Sequence, residues 1–69
     1  MNMEPVKSEA IHSVGYDPAT KTLRVRFHTG NTYDYPNVPA DEHRAFMDAG
    51  SMGKHFARHF RNHEQTRVE

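Results

Sequence analysis

The sequence contains no cysteine. That excludes disulfides, a thiolate zinc site and a cysteine nucleophile, and it suits a reducing compartment, so a cytoplasmic location is expected. No apolar run exceeds three residues. This is far short of a membrane span or of the core of a signal peptide, and no membrane partner is expected. Net charge is lacking too, since nine Lys and Arg balance nine Asp and Glu. Nucleic-acid-binding domains are usually basic overall, so this balance favours a module that binds protein. The chain has 69 residues, room for one small domain that buries only about 60% of its unfolded surface.

What is present is organised around Leu23 to Val38. Leu23, Val25 and Phe27 alternate with Arg24, Arg26 and His28, and Tyr33 and Tyr35 alternate with Thr32 and Asp34. Period-two alternation on both sides of Thr29-Gly30-Asn31 predicts two antiparallel strands joined by a tight turn. A preceding strand is predicted from about Ser8 to Tyr16, anchored by Ile11, Val14 and Tyr16. The step from Ile11 to Val14 is odd, so a bulge near His12–Ser13 is needed to keep both on one face. Asp17-Pro18-Ala19-Thr20 is turn chemistry.

Pro39 suits a first helical position, and Asp41 and Glu42 suit the positive end of the helix dipole. Ala45, Phe46 and Ala49 form the apolar stripe of this helix. Gly50 ends it, and Ser51 is placed to cap a second helix, in which Met52, Phe56 and Phe60 recur at i, i+4 and i+8. The expected fold is α+β: a three-stranded antiparallel β-meander followed by two α-helices packed on one face, in the order β-β-β-α-α. Residues 1–7 read as a flexible N-terminus, 8–63 as a single domain and 64–69 as a flexible tail. An unpaired edge of so small a sheet invites dimerisation.

The ordered set Val14-Gly15-Tyr16-Asp17, Leu23-x-Val25-x-Phe27, Gly30-x-x-Tyr33-x-Tyr35, Val38-Pro39, Phe46-x-x-Ala49 and Ser51-x-Gly53-x-x-Phe56 resembles the KTSC domain. This small domain is named for its place at the C-terminus of some lysyl-tRNA synthetases, and it also stands alone in bacteria. The resemblance covers roughly residues 6–62. It implies a domain of uncharacterised function for which RNA binding has been suggested. His55 and Ala57 depart from the aromatic and polar residues that often flank the position of Phe56.

Charge is unevenly spread. Residues 1–49 carry five Lys and Arg against seven acids, whereas residues 50–69 carry Lys54, Arg58, Arg61 and Arg67 against Glu64 and Glu69. Lys54, Arg58 and Arg61 on helix two, supported by Arg24 and Arg26 from the sheet, are therefore the candidate phosphate contacts for RNA. Ser51, Gly53 and Lys54 form a second candidate, an anion site at a helix N-terminus. Its plain alternative is that Ser51 caps the helix and Gly53 allows close helix packing, and the segment lacks P-loop spacing. Tyr33 and Tyr35 suit either base stacking or the core.

His55, His59 and His63 recur at helical spacing. No general-base glutamate or third ligand accompanies them, so no metal and no cofactor is expected, and a solvated face is the simpler reading. Ser13 adjoins His12, but neighbouring strand residues face opposite sides, and Ser51 lies near His55 without a recognisable triad. The expectation is a non-catalytic module binding RNA. The alternative is a protein-interaction module or homodimer that acts as an adaptor or appendage to a larger protein.

Overall fold

The structure is a computed structural model that describes residues 1–69. Its strands are β1 (Glu4–Pro5), β2 (Ile11–Asp17), β3 (Thr22–Phe27), β4 (Thr32–Tyr35) and β5 (Thr66–Arg67), and its helices α1 (Ala40–Met47) and α2 (Met52–His59) lie between β4 and β5. The α+β class stands, with a correction. The sheet has five strands in the order β1-β2-β3-β4-β5, not three, and all four pairings are antiparallel. The two extra strands come from the segments read as flexible termini. β1 pairs Glu4 with Val14 and Pro5 with Ser13, and β5 pairs Thr66 with Asp34 and Arg67 with Tyr33.

Each added strand is two residues long, too short to leave a hydrophobic period in the sequence. Backbone groups hold them instead. Val6 N donates to the His12 carbonyl, and Thr32 exchanges backbone bonds with Val68 and Glu69. The edges of β2 and β4 that a three-stranded sheet would leave open are thus paired in part, β2 at Ser13 and Val14 and β4 at Tyr33 and Asp34. The new edges are short, and one carries Pro5, so the surface on which another strand could be templated is small.

The central meander follows its pattern. Leu23 faces Tyr35 and Val25 faces Tyr33 across β3 and β4, and Val14 and Tyr16 lie opposite Val25 and Leu23. The register of β2 against β3 shifts between Ile11 and Ser13. This is the bulge required to return Ile11 to the face of Val14, and both side chains are buried. Gly30 takes φ +97 in the turn, where its amide donates to the Phe27 carbonyl. Ala19 N donates to Asp17 Oδ1 in the preceding turn.

Pro39 sits one position before the first helical residue, as N-cap, and Ser51 caps α2 by accepting from Lys54 N. Of the stripe expected on α1, Phe46 is buried while Ala45 is exposed. Both helices cover the Leu23–Val25 face. The core comprises Ile11, Val14, Leu23, Val25, Tyr35, Val38, Phe46, Met52 and Phe60, with Phe27, Tyr33 and Phe56 half-buried beside them. Tyr35 is the hub. Its ring meets Phe56 at 5.4 Å and Phe60 at 5.7 Å, and Phe46 reaches Phe60 at 5.9 Å.

Truncating Phe46, which is fully buried, removes the one deep anchor of α1. Phe46→Ala is expected to cost about 3–5 kcal/mol, most of the stability of so small a domain. Urea denaturation followed by far-ultraviolet circular dichroism checks this. A midpoint close to that of the parent would contradict the assignment of Phe46 as anchor.

Candidate nucleic-acid interface

The sheet has two unlike faces. Arg24 and Arg26 project from the face opposite the helices, because they alternate with Leu23 and Val25. Arg24 there forms a two-pronged ion pair with Asp34 across the strands, Nε to Oδ1 at 2.7 Å and Nη2 to Oδ2 at 3.0 Å. The Asp34 carboxylate raises the Arg24 pKa further. Arg26 is exposed and lies opposite Thr32. Gly15 also belongs to this face, and a Cβ there would meet Met3 Sδ at 2.8 Å, so the N-terminal methionines lie over it.

Lys54, Arg58 and Arg61 occupy the other side of the molecule. All three are exposed, and the one ion pair in the structure is that of Arg24 with Asp34. The five candidate cations therefore do not form one surface. The sheet pair, Arg24 and Arg26, is separated from the helix group by the whole thickness of the fold. Arg61 lies just beyond α2, which ends at His59, yet it stays on the exposed side.

Ser51 and Lys54 behave as the simpler reading of the helix N-terminus requires. The Ser51 hydroxyl accepts from Lys54 N at 3.4 Å, and His55 N donates to the Ser51 carbonyl. A Cβ at Gly53 would meet nothing within 4 Å, so close helix packing does not explain this glycine.

The histidine row is not a solvated face. His55 is half-buried against Phe46 at 5.7 Å, and His63 lies against Phe60 at 5.4 Å and Tyr35 at 6.0 Å. His59 alone is exposed, and it stacks on His55 at 4.2 Å. Burial, then the neighbouring His59, lowers the His55 pKa, and its Nε2 is buried without a partner. No group of three or more His, Asp or Glu side chains is placed to hold a metal ion.

At the other end of the helical layer, His43 of α1 stacks on Tyr16 at 4.4 Å, nearly parallel, while the Tyr16 hydroxyl donates to the Val38 carbonyl at 2.6 Å. Burial lowers the His43 pKa, partly opposed by Glu4. Tyr35, in the aromatic cluster, has its pKa pushed up to about 12 by burial.

One contact overturns a sequence argument. His12 Nδ1 lies 3.1 Å from Ser13 Oγ, although adjacent strand residues ordinarily diverge. The bulge at this point breaks the alternation. Ser13 is nevertheless 4% exposed, so its hydroxyl is closed to a substrate.

Two concavities adjoin the α1–α2 junction. The larger, about 670 Å³, lies between the Val6–Ala10 segment and Met47, Ala49–Met52. The smaller, about 260 Å³, is walled by Lys54, His55, Arg58 and His59. Ala49, Gly50 and Ser51 line both. Neither was legible in the sequence, because each is closed by residues distant along the chain or by a loop.

The profile of the KTSC domain matches residues 7–63. An uncharacterised protein of Stutzerimonas stutzeri is 36% identical over 61 residues, covering 88% of this chain and 86% of the relative. A protein of Tsukamurella paurometabola is 44% identical over 52 residues, covering 75% and 78%. The crystal structure of a KTSC domain protein from Yersinia pestis superposes with a TM-score of 0.94 at 33% identity, covering 99% of this chain and 97% of that one.

His43 and His55 have lowered pKa values in the folded state. Below the unfolded value of about 6.5 the unfolded chain takes up protons that the folded chain resists, so stability falls as pH falls through about 6.5 toward the lower folded values. Urea titrations across that range should show a declining midpoint, and His43→Gln should flatten the decline. A midpoint that rises on acidification would be inconsistent with both buried imidazoles.

Proposed function

We propose that this chain, which belongs to the KTSC domain family, is a small non-catalytic binding module for single-stranded RNA, with Lys54, Arg58 and Arg61 as its phosphate contacts. The observation that carries this reading is an exposed, cationic helical edge free of ion pairs. α2 has no acid in its first turn and carries Arg58 and His59 in its last. An unpaired guanidinium or ammonium in water is already surrounded by mobile counter-charge, and exchanging this for a phosphate releases salt ions from the nucleic acid. Neutral net charge does not oppose such a site, since seven of the nine acids lie in residues 1–49 and, of these, Glu42 on α1 is the one that acts on His55 of α2. Within about a Debye length, which is about 8 Å at physiological salt, the local cations set the potential.

Arg24 and Arg26 are left out of this site. Asp34 already occupies the fork of Arg24, and the open sheet face cannot touch the same strand of RNA as α2 without wrapping the domain.

Fluorescence anisotropy with a short mixed-sequence RNA tests the proposal. Three phosphate contacts on a single strand should give a log–log salt slope of about −2. Arg58→Ala should reduce that slope by about one contact, whereas Arg26→Ala should leave it unchanged. An RNA titration that is flat at low salt and high micromolar protein would defeat the proposal.

A further inference from the structure

We infer that the cleft between the Val6–Ala10 segment and the α1–α2 junction is a nucleobase subsite, which receives one base of a strand whose adjoining phosphate lies on Lys54 and Arg58. The inference rests on the RNA-binding reading above and adds to it a place where a base, as well as a backbone, is held.

Three features meet at this cleft. Its floor is apolar and soft: Val6 and Met47 are half-buried, and Met52 is 8% exposed, so the layer between sheet and helices opens here onto side chains of the core. Methionine adapts to flat, irregular ligands because it is unbranched and polarizable. The lips are polar and carry both signs, Lys7 and Glu9 on one side and Ser51 on the other, which suits the mixed donor and acceptor edge of a base. The volume, about 670 Å³, is in the range of small-ligand sites and exceeds what one base needs.

The second concavity bears on the identity of the occupant. It shares Ala49, Gly50 and Ser51 with the first as a common wall. Beyond that wall, its side chains are Lys54, His55, Arg58 and His59, with no carboxylate among them. A slot with an apolar floor and polar lips, next to a hollow whose charged groups are Lys54 and Arg58, is complementary to a planar heterocycle joined through a short linker to a phosphate. A neutral peptide or an uncharged acyl group would use the slot and leave Lys54 and Arg58 unmatched. An inorganic anion would use the hollow and leave the slot empty.

The test separates base from backbone. A short mixed-sequence single-stranded RNA and an abasic ribose-phosphate oligomer of the same length are titrated against the wild-type protein. The base-containing strand should bind about tenfold more tightly, the scale expected when about 60 Å² of base surface is removed from water. The methyl resonances of Met47 and Met52 should shift with the RNA and stay in place with the abasic strand. Ala10 is exposed and lines the slot alone, so Ala10→Leu should lower RNA affinity to the abasic level and leave abasic affinity unchanged. Equal affinity for the two strands, with still methyls, overturns the subsite while leaving the phosphate contacts intact. Binding of neither strand overturns both.

Discussion

The packing of Phe56 and Phe60 onto Tyr35, with Phe46 of α1 against those two rings in turn, is the constraint on which this structure depends. Each helix is eight residues long, well below the length at which an isolated helix persists in water. They exist because one side of each is bonded to the sheet through apolar contact. Tyr35 is 1% exposed, meets two rings of the α2 region and a third group, His63, and so ties both the helical layer and the chain leading to β5 to the central hairpin. Once that face is committed, the long charged residues of α2 have nowhere to go but outward. The exposure of Lys54 and Arg58 is a by-product of where Phe56 and Phe60 must be.

Much of this was legible because it rests on period. Alternation at Leu23, Val25 and Phe27 names the buried face of β3, and the odd spacing from Ile11 to Val14 demands the bulge that the register shows. What was not legible rests on backbone or on local breaks in period. β1 and β5 are two-residue pairings fixed by main-chain bonds, to which any side chain is compatible. The bulge that rescued Ile11 also brought His12 and Ser13 together, so a rule valid for regular strands failed at the place where the strand is irregular. The histidine row misled for a related reason. Steps of four residues advance about 40° around a helix of 3.6 residues per turn, and α2 stops at His59. His55 therefore turns toward Phe46, and His63 folds back on Tyr35.

The candidate cations divide along the same line. Sequence lists five of them without saying which side of the sheet each serves. Register answers that question: Arg24 lies opposite Asp34 and is matched by it, a partly buried cross-strand pair that contributes about 1 kcal/mol but removes its charge from any other use. No comparable partner lies along α2. The division explains how a chain with zero formal charge presents a local positive field.

That field also has a cost to the helix that bears it. Lys54 lies in the first turn of α2, where the backbone dipole is positive and an acid would be favoured; the turn contains none. Such a placement forgoes about 0.3–1 kcal/mol, a noticeable fraction for a domain of this size. The Ser51 cap recovers part of it by satisfying the amide of Lys54, and the aromatic clamp supplies the rest. α1 shows the opposite arrangement, with Asp41 and Glu42 in its first turn and Arg44 in its last. Two helices of equal length, packed on the same core, thus differ in the sign of the charge at their starts. Folding stability alone favours the arrangement of α1 in both. The departure in α2 leaves Lys54, Arg58 and Arg61 without acidic partners, and it is on this feature that the proposed phosphate contacts rest.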